Sequence, residues 1–361
     1  GINLQSGGKV VNGAISATQA LIESTGLKGL TTYAGSKAYA VNIDGGPASV
    51  TNFGTISSPV LPDLLATGGV RIANAIGRVT NFGMIEGGEQ GVVLDRGGTV
   101  VNGGSGASRA LIEGLRFAVD AVGGPGTVIN FGTIEGGVEL GRNGRLIVEP
   151  GAKFTAGVGA AGKDDTIELA AKSSGTLRLD TEFVGFDKVV VDRGADWRID
   201  LGLNDLKATT ISGNGRNVLA LSDAGTVDLS GARGFPTISL SGAGANMLTL
   251  ASSNFIGIAG GVITVAGGNA ADVLSEAGVP AGDHAVLAGG GGNDTLIAGR
   301  NAALRGGAGK DMFELTVPGS PTTPDRNTIA DFAPGIDKIA FSEKGFALGK
   351  SPDAATLFRA N

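Results

Sequence analysis

The chain has 361 residues, of which 65 are glycine, 42% are hydrophobic, 17% are charged and 5% are aromatic, and its formal net charge is −6 at pH 7. This hydrophobic content excludes disorder, the absence of a three-residue glycine period excludes collagen, and the lack of a basic cluster predicts no binding of nucleic acid. There is no cysteine, so disulfides cannot stabilise the fold, and no apolar run approaches the roughly 20 residues of a membrane span. These features predict an all-β chain of short strands joined by glycine turns.

A short phrase ending in Asn, followed by Gly or Phe-Gly, recurs through the first third of the chain. Its asparagines are separated by 40, 29, 21 and 28 residues. Intervals in the twenties fit one turn of a parallel β-solenoid, and the longer first interval would hold an inserted loop. Because successive turns lie about 4.8 Å apart, equivalent asparagines are predicted to stack in a hydrogen-bonded ladder. The predicted ladder residues are Asn12, Asn52, Asn81, Asn102 and Asn130.

The middle third keeps short alternating strands, many of them starting about ten residues apart. Three such strands would make one triangular turn, and the solenoid is predicted to run without a break to residue 265. Residues 126–134 (GTVINFGTI) fit the phrase of β-helical passenger and haemagglutinin-type repeats closely. Residues 1 to about 200 therefore resemble the repeats of bacterial surface adhesins and autotransporter passengers.

Two later segments match the nonapeptide G-G-x-G-x-D-x-U-x, in which U is a large apolar residue. They are residues 289–297 (GGGGNDTLI) and 306–314 (GGAGKDMFE), and they start 17 residues apart. This pair resembles the RTX (haemolysin-type) β-roll family, in which glycine-rich half-turns bind Ca²⁺. The predicted metal-site residues are Gly289, Gly290, Gly292, Asp294, Gly306, Gly307, Gly309 and Asp311.

The chemistry of the nonapeptide favours this hard cation. Ca²⁺ takes six to eight oxygen ligands, and glycine loops can turn backbone carbonyls inward while a carboxylate closes the shell. The spacing of the two repeats predicts that Asp294 and Asp311 lie on the same edge with one ion between them. The intervening residues 298–305 contain no carboxylate, so the opposite edge is predicted to hold no metal.

Two weaker echoes of the motif allow alternatives. Residues 267–275 (GGNAADVLS) keep the glycine pair, the Asp and the apolar residue but lack the fourth-position glycine. They could stack on the same edge and give a second site between Asp272 and Asp294. Residues 162–167 also contain a Gly-x-Asp, which is predicted to be a solvated turn.

The segment after the repeats, residues 327–342, contains the phrase D-F-x-x-G-x-D-x-I. It resembles the segment that closes RTX modules, including those of serralysin-type proteases. Asn327 departs from that family, which more often has an acidic residue there, so a terminal Ca²⁺ half-site is not expected. The resemblance covers residues 266–345 and implies export by type I secretion machinery, with the tail 346–361 as a candidate part of the secretion signal.

The predicted fold class is all-β: a right-handed parallel β-helix (β-solenoid) over residues 1–265 that continues into a C-terminal RTX parallel β-roll over 266–345. Enzymes on such scaffolds, for example a polysaccharide lyase or epimerase, need a clustered acid, base and cation. The chain contains one histidine, His284, which is predicted to lie in a surface turn, so no enzyme is expected.

The functional prediction is an extracellular, calcium-binding structural protein that self-associates at the bacterial cell surface as a surface-layer, filament or biofilm-matrix subunit. The alternative is an adhesin that binds a glycan or another cell-surface receptor. The stacked architecture favours the structural class, because open solenoid ends invite either caps or pairing with another copy.

Overall fold

The computed structural model describes residues 1–24, 38–58, 67–106, 109–179, 181–240, 242–279, 282–316 and 326–346. Within them nearly every element is a short strand, and every pairing between the named strands is parallel. The predicted fold class, a parallel β-solenoid with a β-roll, is confirmed. The chain divides into two compact units, Gly1–Asp196 and Trp197–Asn361, whereas the sequence predicts its first domain boundary after residue 265.

Unit 1 is built from strands of two to eleven residues. These strands are β1 (Ile2–Leu4), β2 (Gly8–Asn12), β3 (Leu21–Glu23), β4 (Ala38–Asp44), β5 (Ala48–Asn52), β6 (Thr55–Ser58), β7 (Thr67–Ala73), β8 (Gly77–Asn81), β9 (Met84–Gly87), β10 (Gln90–Leu94), β11 (Gly98–Asn102), β12 (Leu111–Ala121), β13 (Gly126–Asn130), β14 (Thr133–Leu140), β15 (Arg145–Val148), β16 (Lys153–Phe154), β17 (Val158–Ala160), β18 (Thr166–Leu169), β19 (Ser174–Arg178), β20 (Phe183–Val184) and β21 (Lys188–Val191).

Most turns of unit 1 have three sides. One sheet runs β2-β5-β8-β11-β13-β15-β18-β21. A second sheet has one arm in the order β1-β4-β7-β10-β12-β14-β17-β20 and another in which β3, β6, β9, β12, β14 and β16 pair in turn. The long strands β12 and β14 bend and belong to both arms. A complete turn, such as β4-β5-β6, therefore contributes one strand to each side.

Aliphatic columns fill the interior of unit 1. The strand register places Val50, Val79, Val100 and Val128 directly one above another, and all of them are buried. Alternate residues of each strand point inward, so a repeated phrase with valine at one inward position produces a continuous column. Burial of each such side chain contributes about 1.5–3 kcal/mol relative to exposure.

The five repeated asparagines also lie one above another. The Nδ2 of Asn12 donates to Oδ1 of Asn52 at 2.8 Å, and the same bond links Asn52 to Asn81 at 2.8 Å, Asn81 to Asn102 at 2.9 Å and Asn102 to Asn130 at 3.0 Å. All five side chains are buried. The ladder thus satisfies polar groups that would otherwise destabilise the interior.

Unit 2 begins with longer turns and two short helical segments. Its strands are β22 (Asp196–Leu201), β23 (Thr210–Ser212), β24 (Val218–Leu221), β25 (Thr226–Val227), β26 (Ala232–Arg233), β27 (Thr237–Leu240), β28 (Met247–Ala251), β29 (Val262–Ala266), β30 (Val273–Gly278), β31 (His284–Gly291), β32 (Thr295–Ala298), β33 (Ala303–Ala308), β34 (Met312–Leu315), β35 (Thr328–Ile329) and β36 (Lys338–Phe341). Its helices are α1 (Leu203–Ala208), a 3₁₀ helix (Ser252–Phe255) and α2 (Glu343–Phe346).

The turns of unit 2 narrow from three sides to two. One sheet runs β22-β24-β27-β29-β31-β33-β35, a second runs β25-β28-β30-β32-β34-β36, and β23 pairs with β26. After β26, the 3₁₀ helix takes the place of the third strand, and from β29 onward each turn contains only two strands. This two-sided part is the predicted β-roll. Among the described residues, no helix has the length and apolar character that crossing a membrane would require.

Candidate calcium site

A column of polar residues stands at one edge of the β-roll, immediately before the strands of the second sheet. Because Leu248, Leu274, Leu296, Phe313 and Ile339 are in register, the residues two positions earlier also stack. We call this set the corner column; it consists of Asn246, Asp272, Asp294, Asp311 and Asp337. The structure therefore brings the predicted Asp272, Asp294 and Asp311 to one edge, on successive turns.

The first four members of the corner column each donate their backbone amide to the side chain below them. The amide of Asn246 donates to Oδ1 of Asp272 at 2.7 Å, and that of Asp272 donates to Oδ1 of Asp294 at 2.8 Å. Asp294 and Asp311 continue the pattern, to Oδ1 of Asp311 at 2.9 Å and of Asp337 at 3.0 Å. One oxygen of every carboxylate in the column is thus satisfied by the turn above.

The second carboxylate oxygens divide the column into two groups. Oδ2 of Asp272 accepts the amide of Gly268, and Oδ2 of Asp337 accepts the amide of Ala333, both at 2.8 Å. Oδ2 of Asp294 and Oδ2 of Asp311 are buried and have no hydrogen-bond donor. The two aspartates of the complete nonapeptides therefore present the only carboxylate oxygens in the column that lack a partner.

Electrostatics at Asp294 also favour a cation. The pKa of the Asp294 carboxyl is raised to about 6, chiefly by burial and also by the neighbouring carboxylates of Asp272 and Asp311, against the lowering effect of the Asp272 amide. A buried carboxylate between two others has no compensating positive charge of its own. A bound divalent ion would supply the missing positive charge.

The glycines of the two nonapeptides create the space in front of these oxygens. A Cβ built on Gly289 would lie 2.1 Å from Oδ2 of Asp294, and one built on Gly306 would lie 2.2 Å from Oδ2 of Asp311. Gly307 has a φ of +98°, and a Cβ built on it would lie 2.0 Å from the carbonyl oxygen of Gly290. Any side chain at these positions would fill the cradle and force the turns apart. Gly290, Gly292 and Gly309 likewise have positive φ angles.

These residues fit Ca²⁺ by their chemistry. The part of the chain that the structure describes has no cluster of three or more His, Cys, Asp or Glu side chains arranged to hold a metal, so backbone oxygens must complete a shell. Ca²⁺ accepts mixed carboxylate and carbonyl oxygen ligands. Asp294 and Asp311, with carbonyls of their glycine turns, would hold the ion, which would neutralise the two facing carboxylates.

The comparisons with known proteins agree with this geometry. Residues 267–349 match the family model of the peptidase M10 serralysin C terminal. The match indicates a secreted protein with RTX-type, calcium-binding repeats, and it confirms the RTX part of the resemblance seen in the sequence. No curated protein and no solved structure matches the chain. The serralysin C-terminal segment contains the corner column from Asp272 to Asp337 but not Asn246.

The closing phrase of the serralysin C-terminal segment attaches to the last glycine turn through carboxylates. Oδ1 of Asp331 accepts the amide of Gly306 and its Oδ2 accepts the amide of Gly307, both at 2.9 Å. Asn327 lies at the opposite edge, where Oδ1 accepts the amide of Ala302 at 2.7 Å. This segment is thus fixed to both edges by side-chain acceptors.

The opposite edge contains a carboxylate that sequence reasoning missed. Glu276, at 0% exposure, accepts the amide of Ala285 at 2.7 Å and the amide of Gly299 at 2.9 Å. It projects from β30, outside residues 298–305, whose lack of a carboxylate is the basis for predicting no metal at this edge. Both of its oxygens are engaged by backbone amides, so Glu276 organises this edge with protein groups.

Sequence reasoning also did not anticipate the positions of Asp165 and His284. Asp164, the aspartate of the Gly-x-Asp predicted to be a solvated turn, is exposed. Its neighbour Asp165 was not singled out, yet it is fully buried and accepts the amides of Gly144 at 2.5 Å and Gly162 at 3.1 Å. Asp165 lies immediately before β18, and its carboxylate reaches the turn before it. His284 begins β31 and is half-buried instead of lying in a turn.

Asn246 was also missed, although a signal for it exists. Residues 242–248 (GAGANML) keep the offsets of G-x-G-x-D-x-U with Asn in place of Asp. A search that admits Asn at the sixth position of the nonapeptide would have found it.

Proposed function

We propose that the protein is a secreted, non-enzymatic, calcium-binding structural protein that self-associates at the bacterial cell surface. The observation that carries calcium binding is the pair of buried, unpartnered Oδ2 atoms of Asp294 and Asp311. A buried carboxylate oxygen without a donor is strongly unfavourable unless a cation binds it. Ca²⁺, which is abundant outside cells, would therefore stabilise the β-roll after export.

Support for self-association comes from the first turn of unit 1. Strands β1, β2 and β3 each pair on one side only within the described residues, which leaves one edge of each strand unpaired. Val11, Ile15 and Leu21 on this turn are 52%, 86% and 60% exposed. Unpaired parallel edges flanked by exposed apolar side chains favour pairing with another chain. The partner proposed for this edge is a second copy of the protein.

Calcium binding is tested by calorimetric titration of the full chain. The double variant Asp294→Asn with Asp311→Asn keeps the hydrogen-bonded shape but removes both charges, and it should lose at least tenfold in Ca²⁺ affinity. Asp228→Asn is the matched control, because Asp228 is an exposed carboxylate of the same unit outside the corner column. Unchanged Ca²⁺ binding by the double variant would contradict the assignment.

Self-association is tested by light scattering and negative-stain imaging in Ca²⁺ and in chelator. We expect oligomers, filaments or sheets in Ca²⁺, and Val11→Lys with Leu21→Lys should abolish them, since edge lysines block strand pairing. Leu115→Lys, at a residue that is 75% exposed outside the first turn, is the control. A strictly monomeric protein that binds glycans on a panel would instead support the adhesin alternative.

A further inference from the structure

We infer that Asn246 and Asp272 form a second, weaker Ca²⁺ site on the two turns directly above the Asp294–Asp311 pair, with Asn246 outside the segment that matches the serralysin C-terminal family. This inference rests on the proposed function for the identity of the ion. Its location rests on a separate set of contacts, which involve neither Asp294 Oδ2 nor Asp311 Oδ2.

The first of these contacts fix Asn246 against Asp272. Both the backbone amide and the side-chain Nδ2 of Asn246 donate to Oδ1 of Asp272, at 2.7 and 3.1 Å, and Nδ2 also donates to the carbonyl of Gly244 at 3.2 Å. Asn246 thus occupies the same place on its turn that the aspartates occupy on theirs. Register at Leu248 and Leu274 gives the same alignment independently.

The decisive atom is the amide oxygen of Asn246. The residue is 2% exposed, and its Oδ1 is buried without a hydrogen-bond donor. Within the corner column the same condition applies to Oδ2 of Asp294 and Oδ2 of Asp311. An unpartnered buried amide oxygen is destabilising, and coordination of a cation would remove that penalty.

The stacking of the glycine turns continues up to this turn. A Cβ built on Gly290 would lie 2.3 Å from the carbonyl oxygen of Gly268. A Cβ built on Gly268 would lie 3.3 Å from the carbonyl oxygen of Gly242. The carbonyls of the second-position glycines therefore continue one turn above the family match. Together with Asn246 and Asp272 they provide the neutral and charged oxygens that Ca²⁺ accepts.

Asp165 in unit 1 shows that burial of a polar residue at a corner does not by itself indicate a ligand site. Asp165 is equally buried and also lies immediately before a strand, yet each of its oxygens accepts a backbone amide. Burial of a polar corner residue is therefore not the signal. The signal at Asn246 is the oxygen that the protein leaves without a partner.

Charge sets the expected strength of the site. Asn246 contributes a neutral carbonyl, so Asp272 provides the only formal charge, and both of its oxygens already accept amides. Fewer charged ligands give weaker calcium sites. We therefore expect this site to fill at higher Ca²⁺ concentration than the Asp294–Asp311 site.

The test is calorimetric Ca²⁺ titration of the full chain with three variants. Asn246→Leu, which has nearly the same shape without the amide, should lose the weaker class of bound ions and keep the tighter class. Asn246→Asp should bind the weaker ion at least about tenfold more tightly, because a second carboxylate is added. The double variant Asp294→Asn with Asp311→Asn should lose the tighter class and keep the ion that Asn246→Leu removes.

Each outcome separates this site from the proposed function. An unchanged number of ions in Asn246→Leu, with unchanged affinity in Asn246→Asp, overturns the Asn246–Asp272 site while leaving the lower site intact. Persistence of the tighter class in the double variant overturns the lower site instead. If Asn246→Leu does not fold, the affinity gain of Asn246→Asp still decides the question.

Discussion

Asn81 lies at the centre of the asparagine ladder, where its side chain uses every donor and acceptor. Oδ1 accepts from Nδ2 of Asn52 at 2.8 Å, and Nδ2 donates to Oδ1 of Asn102 and to the carbonyl of Leu111, both at 2.9 Å. We predict that Asn81→Leu lowers the free energy of unfolding by at least about 3 kcal/mol, because it keeps the side-chain volume but leaves these hydrogen-bond partners unsatisfied. Urea denaturation monitored by circular dichroism measures this difference.

Asn12 provides the matched comparison, because it begins the ladder. Its Nδ2 donates downward to Asn52, but no described residue donates to its Oδ1. Asn12→Leu should therefore cost distinctly less than Asn81→Leu. Equal losses from the two variants would show that the ladder contributes through volume alone and not through its hydrogen bonds.

The buried phenol of Tyr39 leads us to predict that unit 1 loses stability at alkaline pH. The phenol is 8% exposed and donates to Oε1 of Gln90 at 3.0 Å, and burial raises its pKa from 10.0 to about 12. Because the folded pKa lies above the unfolded one, this contribution to stability is complete below pH 10 and is lost as the pH rises through about 12. Its size is about 2–3 kcal/mol.

An ultraviolet absorbance titration checks this behaviour. Tyr39→Phe should remove the later ionisation step and make stability less dependent on pH above 10, whereas Tyr33→Phe should leave the later step in place. Ionisation of both tyrosines near the ordinary value in the folded protein would contradict the prediction.

At the scale of the element, we expect the tolerance of each β-roll glycine for a side chain to depend on how close the backbone of the neighbouring turn lies to its Cβ position. Gly307 and Gly335 both have positive φ angles, +98° and +82°, but a Cβ on Gly307 would lie 2.0 Å from the carbonyl oxygen of Gly290 and one on Gly335 would contact nothing within 4 Å. We predict that Gly307→Ala costs about 1–3 kcal/mol more than Gly335→Ala, because both share the backbone strain and only one adds overpacking.

Calorimetric unfolding and Ca²⁺ titration of the two variants measure this difference. Gly307→Ala should also weaken Ca²⁺ binding, since it separates the turns that carry Asp294 and Asp311. Equal effects of the two substitutions would indicate that the β-roll turns are not stacked as closely as the structure has them.

The elements that could be predicted from sequence are those in which one residue type returns at one position. The asparagine phrase and the complete nonapeptides meet that condition, and their predicted strands and turns lie where expected. Glu276 could not be predicted, because its partners are the backbone amides of Ala285 and Gly299 and any residue type would provide them.

At the scale of the whole molecule, calcium should act on one unit only. The corner column lies in unit 2, whereas unit 1 relies on aliphatic columns and the asparagine ladder. We predict that chelator lowers the temperature at which unit 2 unfolds in scanning calorimetry. An ion concentration of roughly 100 times Kd would stabilise the affected unit by about 2.7 kcal/mol. An unfolding temperature that is the same in Ca²⁺ and in chelator would contradict this prediction.

The intervals between ladder asparagines, 40, 29, 21 and 28 residues, vary nearly twofold, yet the bonds that join them stay between 2.8 and 3.0 Å. The chain between two successive ladder positions is therefore free to grow or shrink without disturbing its neighbours. Gene duplication or loss of a single coil would preserve the register above and below it. Descendants of one ancestral sequence could thus differ in solenoid length by whole turns. The smallest such step is the 21 residues between Asn81 and Asn102.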